Sequence, residues 1–154
     1  MSKPDIVFDF SSPICPKAEE NTKLFIETLY EDYVIRRSIK RVVEVVDNKA
    51  EKVDTRIEIY CAFSTMLMRE GAYKHCNDLL LEGVSKFEHS EKIMVEMGKL
   101  KYLIGKYDEA VEMYQRALKL ARGDKKELVY NISVNLMLSG KYEEALARFK
   151  YTIT

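Results

Sequence analysis

The sequence predicts an all-α fold, a right-handed α-solenoid of stacked antiparallel helix pairs, on three observations. The phrase Gly105-Lys106-Tyr107-Asp108-Glu109-Ala110 returns as Gly140-Lys141-Tyr142-Glu143-Glu144-Ala145, and in worn form as Gly71-Ala72-Tyr73-Lys74-His75-Cys76. Its glycines stand 34 residues apart (71 to 105) and then 35 (105 to 140), a period that marks stacked helical repeats. Around each glycine, apolar residues recur at three- and four-residue steps, the spacing of one buried helix face. Three prolines and six glycines in 154 residues are also few for a turn-rich β fold.

Composition bounds the function. With 47% hydrophobic and 32% charged residues, the chain reads as one soluble globular domain. Lys plus Arg and Asp plus Glu are 25 each, so the net charge is zero. Nucleic-acid partners usually demand a basic excess that neutralises phosphates, and none is expected here. The basic run from Arg36-Arg37 to Lys40-Arg41 reads as a solvated helix face. No apolar segment approaches the ~20 residues that span a bilayer, so no membrane partner is expected either. No secretory signal is visible. Cys15, Cys61 and Cys76 are an odd count without close pairing, which suggests reduced thiols in the cytoplasm or nucleus.

In chain order, residues 1–16 read as an extended arm. Asp5-Ile6-Val7-Phe8-Asp9-Phe10 is apolar, and Pro13 and Pro16 hold the residues before them extended. A disordered tail is the alternative. Leaving Ile6, Val7, Phe8 and Phe10 in water is costly at ~25 cal/mol per Å², so docking is expected. Residues 17–56 read as a degenerate helix pair, with stripes Leu24, Phe25, Leu29, Tyr33 and then Ile39, Val42, Val43, Val46.

Three units follow, at 57–90, 91–125 and 126–154. Asp54 is expected to cap the helix that Gly71 ends, and Ser90 the helix that ends at Gly105. Gly123 is expected to end the partner of that helix in left-handed geometry. Asp124 and Glu127 have capping-box spacing for the next helix. The last helix runs on to Thr154 without the polar outer helix that closes an array. The reading is therefore that the chain continues, or that another chain covers this face.

These residues resemble the tetratricopeptide repeat family. Met94, Met97, Gly98, Tyr107, Ala110, Tyr114 and Ala117 match its pattern in the middle unit. Val129, Ile132, Ser133, Tyr142, Ala145, Phe149 and Thr152 match it in the last. Tyr60, Phe63, Ser64, Tyr73, Cys76, Leu80 and Gly83 match it in the first. Small residues let two helices approach, and large ones fill the gaps. Cys76 replaces an alanine, Lys101 a tyrosine and Arg122 a proline of the pattern. The match is good over 57–154 and loose over 17–56.

The resemblance implies a scaffold or adaptor that binds a protein or peptide partner along a concave groove formed by the first helices. Carried over residue by residue, the partner-binding set is Met68, Lys92, Val95, Lys99, Tyr102, Leu103, Tyr130, Asn131, Val134 and Met137. Relatives that clasp acidic chaperone tails use a clamp of Lys, Asn and Arg. The matching positions here carry Cys61, Thr65, Glu96, Glu127 and Asn131, or one unit earlier Glu27, Glu31, Ala62, Lys92 and Glu96, and the glutamates repel a carboxylate. The alternatives are a self-associating subunit forming a homodimer, similar to scaffold subunits of the anaphase-promoting ubiquitin ligase, and a protein similar to the mitochondrial fission adaptor without its membrane anchor. No catalytic residue, metal site or cofactor is expected. His75 and His89 lack an arranged carboxylate, and Cys76 beside His75 reads as a packing residue, because adjacent helical side chains diverge by about 100°.

Overall fold

Three first helices end in the same hydrogen-bonded turn, and a left-handed glycine makes each one. Gly71, Gly105 and Gly140 have φ of 82°, 80° and 86°. At each, the following N–H reaches back to a carbonyl five residues earlier: Ala72 to Leu67 at 2.9 Å, Lys106 to Lys101 at 2.8 Å and Lys141 to Leu136 at 2.9 Å. These bonds satisfy carbonyls that a helix end otherwise leaves unpaired. The repeated phrase is thus a repeated turn.

The computed structural model describes residues 19–49 and 52–153, with side chains to Lys150. The expected arm at 1–16 lies outside the described residues. The described residues fall into two compact units, one ending at Glu88 and the other beginning at His89. All regular structure among them is helical, in eight helices, four in each unit.

The unit ending at Glu88 holds α1 (Glu20–Arg36), α2 (Ile39–Lys49), α3 (Val53–Glu70) and α4 (Tyr73–Lys86). In α1 the buried stripe is Ile26, Leu29 and Tyr33, while Leu24 is 63% exposed. The expected stripe is therefore rotated: Ile26 shares the three- and four-residue steps to Leu29 and Tyr33, and Leu24 takes the solvent side. In α2, Ile39, Val42, Val43 and Val46 are buried as expected. Helix α3 starts at Val53, which places Asp54 inside its first turn; the preceding Lys52 makes no side-chain cap. Asp54 still meets the helix dipole favourably there. Helix α1 ends without glycine, on Arg37 at φ 52°.

The unit from His89 holds α5 (Glu91–Leu103), α6 (Tyr107–Leu120), α7 (Lys126–Leu138) and α8 (Tyr142–Ile153). Ser90 caps α5, its hydroxyl accepting from the Ile93 N–H at 3.3 Å. Helices α5 and α6 meet where Gly98 faces Tyr114; a Cβ at Gly98 would lie 2.8 Å from Cζ of that ring. Ala110 and Ala117 on α6 are fully buried, as are Ile132 and Ser133 on α7. Small residues set this spacing, and Tyr114 fills it. Helix α6 stops at Leu120 with Ala121 extended, so Gly123 does not supply the stop and takes no left-handed φ. Asp124 accepts from the Lys126 N–H at 3.0 Å and no side chain caps at Lys125, so the expected capping box does not form.

Candidate functional site

The partner-binding residues expected from the sequence lie mostly on α5 and α7. On α7, Tyr130, Asn131, Val134 and Met137 follow steps of one, three and three, which puts them on one face. On α5, Val95, Lys99, Tyr102 and Leu103 do the same. Both helices pack against neighbours within one unit, α5 on α6 and α7 on α6 and α8.

The face is apolar and graded in depth. Val95, Leu103, Tyr130 and Met137 are half-buried, whereas Tyr102 is 6%, Asn131 2% and Val134 1% exposed. Lys92 stands exposed at the start of α5. Each tyrosine is braced by the second helix of its own pair. Tyr102 packs on Tyr107 at 6.2 Å between ring centroids, and Tyr130 on Phe149 at 5.9 Å. Such bracing pre-orders the aromatic side chains and lowers the entropy cost of an interface.

Charge on this face is balanced. Lys99 Nζ lies 3.1 Å from Glu96 Oε1 with both side chains largely covered, so the pair cancels in place. Behind it the Tyr114 phenol finds no hydrogen-bond partner among the described residues. Burial, with Glu96 adding, pushes its pKa far up, so it stays neutral. Met68, the remaining residue of the carried-over set, lies on α3 in the other unit and is 3% exposed.

A polar cluster in the unit ending at Glu88 escapes sequence reasoning. Glu70, at the end of α3, accepts from the Tyr30 hydroxyl and the Arg37 guanidinium. The Tyr33 hydroxyl lies 2.6 Å from His75 Nδ1, and Arg37 sits 5.1 Å over the Tyr33 ring. Tyr30, Tyr33 and Phe63 complete a ring cluster with centroids 5.4 to 5.6 Å apart. The Tyr30 hydrogen bond and the Arg37 charge hold the Glu70 carboxyl below its ordinary pKa. His75 therefore works as a structural bond. Cys76 packs: it is fully buried, with Sγ 3.5 Å from the Ser64 carbonyl. In the same unit a cavity of 690 Å³ beside α2 and α4 is lined by Lys40, Glu44, Asp78 and Glu82 among others. Its lining carries three carboxylates to one lysine, and none of its lining residues belongs to the carried-over set.

No helix of the described residues is long and apolar enough to cross a membrane. No curated protein sequence matches the chain significantly. Among solved structures, MamA AMB-1 matches with a TM-score of 0.56 at 20% identity, over 78% of this chain and 65% of that one. MamA MSR-1 matches with a TM-score of 0.56 at 21% identity, over 78% and 68%. The chain thus spans less than two thirds of the first of these, and at such identities the likeness shows the fold, a tetratricopeptide-type helical repeat. A family model described as Iml2/Tetratricopeptide repeat protein 39 matches residues 41–153, from within α2 to the end of α8. The chain belongs to the Iml2/tetratricopeptide repeat protein 39 family.

Proposed function

We propose that the chain is a non-catalytic interaction scaffold or adaptor that takes a peptide or helix of a protein partner on the face of α5 and α7. The observation that carries this reading is the row of half-buried apolar side chains Val95, Leu103, Tyr130 and Met137, with two tyrosines braced from behind. Aromatic anchors in partly desolvated settings are where binding energy concentrates. The units at 57–90, 91–125 and 126–154, behind a degenerate pair at 17–56, are the proposed domain plan. Met68 would serve the same role on α3. Three cysteines, an odd count without close pairing in the sequence, fit a cytoplasmic or nuclear site of action.

The test uses residues whose loss spares the core. Val95→Glu with Tyr130→Ala should abolish recovery of the partner in a pull-down while leaving the thermal midpoint within a few degrees. Unchanged recovery refutes the face.

A second reading has its own observation. On α8, Tyr142 is 69% and Leu146 56% exposed, four residues apart on one stripe. That stripe supports self-association as a homodimer. Light scattering after gel filtration separates the two readings, since a monomer at every concentration excludes the dimer.

A further inference from the structure

Helices α2 and α4 pack against each other yet leave a cavity of 690 Å³ beside them. That volume falls in the range of about 300–1,000 Å³ typical of ligand sites. Part of the lining is apolar: Ile39 and Val43 are buried on α2, and Leu81 of α4 stands 54% exposed. The carboxylates come from both helices, Glu44 from α2 and Asp78 and Glu82 from α4. Asp78 and Glu82 are four residues apart, so they share one stripe with about 5–6 Å between their Cβ atoms. The cations around the cavity are engaged elsewhere. Arg36 and Arg41 pair with Asp32, and Arg37 with Glu70. Lys86 divides between Asp47 and Glu82. Glu44 and Asp78 have no ion-pair partner among the described residues. Against them the lining sets Lys40, and His75, which is already bonded to the Tyr33 hydroxyl.

We propose that this cavity binds an arginine-bearing helical segment of a protein partner, with guanidinium groups facing Glu44 and Asp78 and aliphatic stems lying on Ile39, Val43 and Leu81. Arginine matches both halves of the lining. Its stem covers apolar surface while its head stays at the charged rim, and its planar fork fits a carboxylate with two hydrogen bonds. Two arginines four residues apart on a helix repeat the pitch of Asp78 and Glu82. A compact inorganic cation leaves the apolar lining in water, and a neutral helix leaves the two carboxylates uncompensated. None of these residues lies on α5 or α7, so this site and the face proposed above stand or fall separately.

The net charge of zero keeps general attraction of a cationic probe low, which makes a simple binding experiment informative. The probe is a fluorescein-labelled helical peptide carrying arginine and leucine at four-residue steps, followed by fluorescence anisotropy with the full chain. Saturable one-to-one binding is expected. Glu44→Gln with Asp78→Asn should weaken it about fivefold, and citrulline in place of the peptide's arginines should do the same. Both carboxylates are exposed, so the helical circular dichroism should be retained; if it is not, Leu81→Ser, also at an exposed position, replaces the pair and should weaken binding too. Val95→Glu with Tyr130→Ala should leave binding unchanged. Absence of saturable binding overturns the inference. So does equal affinity for the citrulline peptide or for the carboxylate variant, and so does loss of binding in the α5 and α7 variant, which puts the peptide on that face. Spermine that displaces the peptide at equal concentration makes the occupant a small polyamine and overturns the assignment to a protein segment. Self-association in light scattering that the carboxylate variant abolishes makes it a second copy and overturns it as well.

Discussion

Helix α1 and helix α5 end with the same left-handed residue but by different means. Gly105 ends α5 at φ 80° with nothing within 4 Å of where a Cβ would stand. Arg37 ends α1 at φ 52° and uses its side chain, which pairs with Glu70 and covers the Tyr33 ring. The difference extends through the two units. From His89 onward, helices are spaced by small residues such as Gly98, Ala110 and Ala117. Before Glu88, α1 is held to α3 by rings and hydrogen bonds at their ends. Where the repeat phrase is intact, backbone and volume fix the geometry. Where it is lost, side-chain chemistry takes over the same task.

The sharpest way to break this comparison is Gly98→Ala. Elsewhere in a helix that change gains about 1 kcal/mol. Here the new methyl meets the buried Tyr114 ring, so a net loss of about 1–3 kcal/mol is expected, read as a lower urea midpoint. A gain in stability would mean that close approach does not set the spacing. The next largest effect belongs to the turns. Gly105→Ala should cost about 1–2 kcal/mol through left-handed strain alone. Arg37→Gly should move stability little, because it relieves that strain while surrendering the Glu70 contact. Equal losses in the two variants would erase the distinction drawn between the turns.

The smallest effect is pH-dependent. Glu70 has a folded pKa below its unfolded value, which is near about 4.3. Its contribution is therefore complete above that value and lost as pH falls through the lowered folded pKa. Glu70→Gln should flatten the decline in stability on the acid side of about pH 4.3, by no more than about 1 kcal/mol for so exposed a pair. An unchanged acid slope would show that the cluster does not tie α1 to α3.

The sequence announces Gly71, Gly105 and Gly140 because left-handed geometry strongly prefers glycine, and Ser90 because few side chains cap a helix start. It misplaces the stripe of α1 because Leu24 lies five residues before Leu29, off the three-residue step that Ile26 makes. Gly123 misleads for a physical reason too: Ala121 already turns the chain in extended geometry, so no left-handed residue is needed. The Tyr30, Arg37 and Glu70 cluster leaves no local signal, since Glu70 lies 40 residues from Tyr30 and 33 from Arg37. On the candidate face, helical spacing aligns Tyr130, Asn131, Val134 and Met137. Their depth is a different matter. Tyr130 is braced by Phe149 across a helix pair, and no pattern along one helix contains that contact.

Under the proposed function, recognition lies on the first helices of the repeats and the Gly-x-Tyr phrase serves packing. A photo-crosslinking benzoylphenylalanine at Tyr130, compared with one at Tyr142, tests this most directly. Adducts heavier than the chain should form with another protein from Tyr130 and not from Tyr142. Adducts from Tyr142 alone, above all between two copies of this chain, would contradict the account and move the interface to α8.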